Sequence, residues 1–283
     1  MAYRYLSDNL HSIADRVKQY FRAERGLSNF RIEEEVHKGL DYRPTLHTFS
    51  KDHHIVCIDV QDSPYSASLD SVVLDCVKES LPIRLYVAYP GEPPPQEYKK
   101  KVDRARKNGV GVIEVRKDMI EVTHEALALS LLGVRTVNPK RFPSRFRGEL
   151  VRAESTFRSG SPVEGSLIIY KELEALSREI VNKTRKKGLW RALNPGEGSP
   201  HIKQNTPWQR IIQILMEHLD RQACPALSIP LLARVLSVAP HRNDTGHKIT
   251  SLNQLIKRDT ELKTRFESAT DLLLELIAAH KTI

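Results

Sequence analysis

The sequence predicts an α/β domain built on a mixed sheet, followed by an all-α domain in the form of a helical bundle. Three observations carry this reading. Strand-like and helix-like segments alternate up to residue 115, whereas only long helical patterns follow residue 162. The charge is divided too: residues 1–100 hold 13 Lys+Arg against 15 Asp+Glu, and residues 101–283 hold 31 against 20. The length of 283 residues exceeds the roughly 100 to 200 of one ordinary domain. The expected division is 1–134 for the α/β domain, 135–163 for a basic linker and 164–283 for the helical domain.

Each element follows from its pattern. Leu10, Ile13, Val17, Tyr20 and Phe21 recur at helical intervals over 6–25, and Gly26 supplies a stop. Three short runs, 30–36, 43–49 and 54–61, read as sequential strands of a meander. Pro64 opens a helix carrying Leu69, Val72, Val73, Cys76 and Val77 on one face. The apolar run IRLYVAY (83–89) is a buried strand, a charged helix covers 96–107, and GVGVIEV (109–115) is another buried strand. This order favours right-handed crossovers with helices on both sides of a sheet. Residues 135–148 hold five bases, two prolines and, up to Glu149, no acid, so an irregular connection is expected, with Phe142 and Phe146 available to stack on bases. Helices are then expected over 167–186, 208–221, 229–239 and 249–280, the last with a break near Asp259.

Composition excludes several classes. Hydrophobic residues make up 40% and charged residues 28%, enough for a buried core and unlike a disordered chain. No apolar run approaches the roughly 20 residues of a membrane span, and the N-terminal stretch carries charges where a signal peptide is apolar. Cys57, Cys76 and Cys224 are far apart and lack CxxC spacing, so they read as buried thiols in a reducing cytoplasm. Trp190 and Trp208 read as core anchors, and the neighbours His53 and His54 as solvated residues at the sheet rim, since adjacent strand residues point to opposite faces. The net charge of +9 attracts polyphosphate; Arg141, Arg145 and Arg147 of the linker and Lys186 and Lys187 at a helix end are the expected nucleic-acid contacts.

One constellation lies in the first domain. RPTL (43–46) is followed one strand later by CIDVQ (57–61), downstream of a helix and the acidic run 33–35. The order helix, three strands, helix, strand, helix, strand over 6–133 resembles the restriction-endonuclease-like PD-(D/E)xK family. Pro44 and Asp59 match that motif, but Thr45 stands where the resemblance calls for a metal-binding aspartate, and Gln61 replaces the lysine. A threonine hydroxyl is a poor Mg²⁺ ligand and a glutamine brings no charge, so the domain is read as catalytically degenerate.

A second constellation lies in the helical domain. RNDTGH (242–247) follows Pro240 between two helical runs. An arginine five residues before a histidine is common in this composition, but an asparagine directly after the arginine is not. The pattern Arg242, Asn243, three residues, His247 resembles the HEPN family of metal-independent ribonucleases, and YKELEALSREI (170–180), with Glu174 and Arg178 four apart, is similar to that family's first helix. The resemblance spans 164–280. Its chemistry needs no metal. The 2′-hydroxyl of RNA attacks the adjacent phosphorus; a histidine moves protons near neutral pH, an arginine fork offsets phosphoryl charge, and Asn243 orients either. One imidazole does not serve both transfers, so two copies across a two-fold axis are expected. The bland reading, in which these three residues cap helix ends, stays open.

The expectation is therefore a cytoplasmic endoribonuclease effector, of antiviral-defence or toxin type as the resemblance implies, cutting RNA through Arg242 and His247. It needs no cofactor and no metal, forms a homodimer, avoids the membrane, and answers to an activating protein or nucleic acid through its first domain. Two alternatives remain: a non-catalytic nucleic-acid- or protein-binding module, and a Mg²⁺-dependent DNA nuclease acting through Asp59 and Gln61.

Overall fold

A computed structural model describes residues 3–91, 96–191, 202–243 and 249–283. The chain is mixed α/β with a six-stranded mixed sheet and many helices. It divides into two compact units, one of residues 1–133, 158–160 and 248–261, the other of 134–157, 161–247 and 262–283.

The first unit holds the sheet. Its strands β1 (Arg31–Ile32), β2 (Leu46–Phe49), β3 (Ile55–Val60), β4 (Ile83–Pro90), β5 (Gly111–Val115) and β6 (Ile120–His124) lie side by side in chain order. The meander β1–β2–β3 is antiparallel, β3–β4 and β4–β5 are parallel, and β6 returns antiparallel. The central strands are mostly apolar because both faces are covered, with one charged residue in each: Asp59, Arg84 and Glu114. Val56, Ile58 and Val60 meet Leu10, Ile13, Val17 and Phe21 of α1 (Asp8–Arg25). Ile55, Cys57, Leu85 and Val87 meet Leu69, Val73 and Cys76 of α2 (Ser68–Lys78) and Ala105 of α3 (Gln96–Lys107). Gly26 ends α1 in the left-handed conformation, with φ 61.

Several expectations are corrected here. The first strand stops at Ile32 instead of 36, because Glu33 turns to φ 51 and its carboxylate accepts the main-chain N–H groups of Arg4 and Tyr5 at 2.5 and 2.8 Å. β6 was not foreseen; its half-buried alternation follows a short turn after β5. A short helix, α4 (Leu129–Leu132), was also missed. His54 is not a solvated rim residue: it is buried, with Nδ1 2.8 Å from Asp52 Oδ2.

The second unit is helical among its described residues: α5 (Ser144–Arg158), α6 (Pro162–Lys186), α7 (Trp208–His218), α8 (Ile229–Val238), a 3-10 turn (Ala239–Asn243) and most of α9 (Leu252–Thr282), whose residues 252–261 belong to the first unit. The expected irregular connection carries a helix instead. Pro143 precedes the first turn of α5, where no N–H is required, and Phe146, Leu150, Ala153 and Phe157 form its buried stripe. Phe142 and Phe146 are buried and so are not base-stacking platforms. Phe157 meets Phe266 of α9 with ring centroids 4.7 Å apart. Gly165 lets α6 approach α5 closely; a Cβ there would lie 2.7 Å from the Ala153 carbonyl and the Phe157 nitrogen. The expected break near Asp259 is absent: α9 runs through it, and the buried Asp259 carboxylate accepts from Ser130 Oγ at 2.8 Å.

No helix among the described residues is long and apolar enough to cross a membrane. All three thiols are buried and unpaired.

Candidate functional site

The first constellation is placed in full, and of the second the position of Arg242 is described. In the first unit, the β2–β3 register sets Leu46 opposite Ile58, which brings the residue before β2, Thr45, beside Asp59 near the end of β3. The Asp59 carboxylate is filled by its neighbours. Tyr42 Oη donates to Oδ2 at 2.7 Å, the Thr45 main-chain N–H donates to Oδ1 at 3.2 Å, and the Gln61 side chain adds a further hydrogen bond. Burial outweighs these donors and raises the Asp59 pKa to about 6. The Thr45 hydroxyl is engaged elsewhere, accepting the Val60 N–H at 3.0 Å. Pro44, before it, is buried and carries no polar side-chain atom.

These residues do not fit a Mg²⁺ ion. Mg²⁺ asks for carboxylates with lone pairs turned toward a shared point. Here one acid faces a tyrosine, its partner position is a threonine already hydrogen-bonded, and no described group of three or more His, Cys, Asp or Glu side chains converges on one point. Tyr42 is the residue that sequence reasoning missed. It precedes Pro44 by two positions and carries no motif; only the turn into β2 swings its hydroxyl over Asp59.

In the second unit, α6 and the 3-10 turn after α8 bring together Glu174, Arg178 and Arg242. Glu174 is buried among apolar neighbours on α6 and its side chain keeps 10% of its surface. Arg178, one turn on, reaches Glu174 Oε1 at 2.8 Å and also donates to the Thr206 carbonyl at 2.8 Å. Arg242 reaches the other oxygen, Oε2, at 2.6 Å, and its side chain remains 39% exposed. One buried carboxylate thus aligns two guanidinium groups, one of them accessible. Asn243 closes the 3-10 turn, with its side chain outside the described positions. His247 lies outside the described residues altogether.

The expected nucleic-acid contacts are unevenly available. Arg145 makes a two-pronged pair with Glu179 at 3.0 and 2.7 Å and lies over the Phe146 ring. Arg147 Nε donates to the Phe142 carbonyl at 2.9 Å, and Lys187 Nζ to the Ile283 carbonyl. Arg141 and Lys186 are exposed. Trp208 is buried with Nε1 donating to Ser177 Oγ at 3.1 Å, and Trp190 is half-buried, stacked on His218.

Compared with protein-family models, curated proteins and solved structures, the chain shows no significant match to any of them.

Proposed function

We propose that this protein is a metal-independent endoribonuclease in which Arg242 and His247 act on the scissile phosphate of RNA. One observation carries the reading: Glu174 and Arg178 on α6 and Arg242 after α8, singled out in separate stretches of sequence, meet at a single carboxylate. That contact orients a partly exposed guanidinium five residues before a histidine. In this mechanism His247 takes the 2′-hydroxyl proton, the 2′-oxygen bonds to phosphorus, and Arg242 offsets charge on the phosphoryl oxygens. The 5′-oxygen leaves with a proton from the imidazole of a second copy, producing a 2′,3′-cyclic phosphate and a 5′-hydroxyl. A homodimer follows from this need for two imidazoles, and Asn243 orients the phosphate or the guanidinium.

The first unit is, in this proposal, a restriction-endonuclease-like domain that has lost catalysis and binds or senses an activating partner. Its order of helix, three strands, helix, strand, helix, strand supports the fold resemblance, and the filled Asp59 carboxylate supports the loss. The functional parts in this proposal are 1–134 and a helical part that runs to 283, and α5, in the stretch expected to be a basic linker, belongs to the helical part. Three buried, unpaired thiols support a cytoplasmic setting, and the antiviral-defence or toxin role rests on the resemblance alone.

The test incubates the purified chain with labelled RNA and DNA, in EDTA and in Mg²⁺, beside His247→Ala and Asp59→Ala. RNA cut in EDTA to cyclic-phosphate ends, and spared by His247→Ala, supports the proposal. DNA cut only with Mg²⁺ and spared by Asp59→Ala replaces it with the metal nuclease, and no cutting by protein that is toxic on expression irrespective of His247 replaces it with a binding module.

A further inference from the structure

The helix α3 carries the sequence QEYKKKVDRARK, in which Lys99, Lys100, Lys101, Arg104, Arg106 and Lys107 face only two acids. Its apolar residues are used for folding: Ala105 is buried, and Tyr98 and Val102 pack against the core between α2, α3 and the sheet. The remaining face is left to solvent, with Lys99, Lys100, Arg106 and Lys107 all exposed around a single exposed acid, Asp103. Arg104 is accounted for by Asp70, which also accepts from Tyr65 and Asn108 at 2.8 and 2.9 Å, so the C-terminal half of α3 is pinned to the start of α2. Lys101 lies over the Tyr98 ring, 5.4 Å from its centroid. Among the described residues no carboxylate lies within ion-pair distance of Lys99, Lys100, Arg106 or Lys107.

Asp103, exposed at the centre of this face, stands at i,i+3 and i,i+4 spacing from the four bases, and one carboxylate leaves them a net charge of +3. Arg106 and Lys107 in the last turn favour the helix dipole, but Lys99 closes the first turn, where positive charge opposes it. Lys100 and Arg104 add like-charge repulsion four residues apart. The cluster even reaches the sheet: after burial, the charge of Arg106 is the main influence holding the His124 pKa down. An excess of positive charge on one exposed face points outward, to a partner of opposite sign.

We propose that the solvent face of α3 is a binding ridge for a nucleic-acid backbone, with Lys99, Lys100, Arg106 and Lys107 contacting successive phosphates. The rise from residue 99 to 107 is about 12 Å, a span that covers a few phosphates spaced about 3.4 Å apart along the axis of a stacked strand. The chemistry favours a polynucleotide over an anionic membrane, because among the described residues the exposed large hydrophobic side chains (Tyr5, Phe49, Leu74, Met119, Val151 and Ile229) lie off α3, giving the ridge no described apolar wedge for lipid. The inference deepens the binding role given to the first unit and does not depend on RNA cleavage.

The experiment measures binding of the full-length protein to a labelled 20-nucleotide 2′-O-methyl RNA strand, which has no free 2′-hydroxyl and cannot be cut by the proposed route. Affinity is read across a salt series in EDTA. Four phosphate contacts contribute about −2.8 to the slope of log K against log salt for a single strand. A Lys99→Ser, Lys100→Ser, Arg106→Ser, Lys107→Ser variant with an unchanged circular-dichroism spectrum is expected to lose most of that increment and to bind about tenfold or more weakly near 0.1 M salt. Lys99→Arg, Lys100→Arg and Lys107→Arg together are expected to keep the slope. An unchanged slope in the serine variant overturns the ridge, as does loss of binding only to phosphatidylserine vesicles with RNA binding intact. Cleavage failing while the slope still depends on α3 sinks the nuclease reading alone.

Discussion

Arg242 and Glu174 are joined across 68 residues of sequence by a 2.6 Å ion pair whose acid is almost wholly buried and whose base is not. A carboxylate in that position is bound to its partners by necessity, since an unpaired buried charge is costly. It also accepts from Arg178, so it sets where Arg242 can point. In the proposed ribonuclease Glu174 is then a positioning residue that acts through Arg242.

Glu174→Gln is therefore expected to destabilise the protein by about 1–3 kcal/mol and to lower RNA cleavage while leaving RNA affinity little changed. Denaturant unfolding of Glu174→Gln, Arg242→Ala and the double variant closes a cycle. Coupling of about 1 kcal/mol or more is expected; additivity within about 0.3–0.5 kcal/mol rules the contact unimportant.

Asp59 makes stability depend on pH with a definite sign. Its folded pKa, about 6, stands above the ordinary 3.8, so the folded state binds the extra proton between those values and stability falls as pH rises through that window. The loss saturates above pH 6 at about 3 kcal/mol as an order of magnitude. Asp59→Asn should flatten this part of the curve, and Mg²⁺ should leave the wild-type curve where it is; a Mg²⁺-induced gain in stability above pH 6 would restore the metal-nuclease alternative.

Asp52 has the opposite sign. The His54 ring 2.8 Å away holds its carboxyl well below the usual range, aided by Ser50 and Arg84. Its contribution is present above about pH 4 and is lost as pH falls below the ordinary carboxyl value. Because the side chain is 55% exposed, Asp52→Asn should cost only about 0.5 kcal/mol at pH 7, read from the acid limb of a pH-stability series.

The close approach of α5 and α6 can be tested at Gly165. Adding a methyl group there meets the backbone at 2.7 Å, so Gly165→Ala should destabilise by about 1–3 kcal/mol despite the better helix propensity of alanine. Phe157→Ala, which removes the ring against Phe266, should cost about 3–5 kcal/mol. If α5 were a solvated linker, neither thermal midpoint would move.

Much of the fold was legible in sequence because burial leaves a local record. Central strands covered on both faces show as the mostly apolar runs of β3, β4 and β5, a one-sided helix shows as the stripe of α1, and the charged run of α3 matches its expected limits. The failures have local causes as well. Two prolines near Phe142 read as breakers, although Pro143 stands just ahead of a helix, and Asp259 read as a break because no local pattern announces that a distant Ser130 will satisfy it.

From the sequence alone come the candidates: Asp59 in a strand that lacks its companion acid and base, the Arg242, Asn243 and His247 pattern, and a charged helix over 96–107. Tertiary structure alone decided how those groups are spent, since a hydrogen bond or ion pair between distant segments depends on packing and leaves no periodic trace in the chain. It laid the Tyr42 hydroxyl on Asp59, tied Arg242 to Glu174, gave Arg145 to Glu179, and left the four exposed cations of α3 facing water.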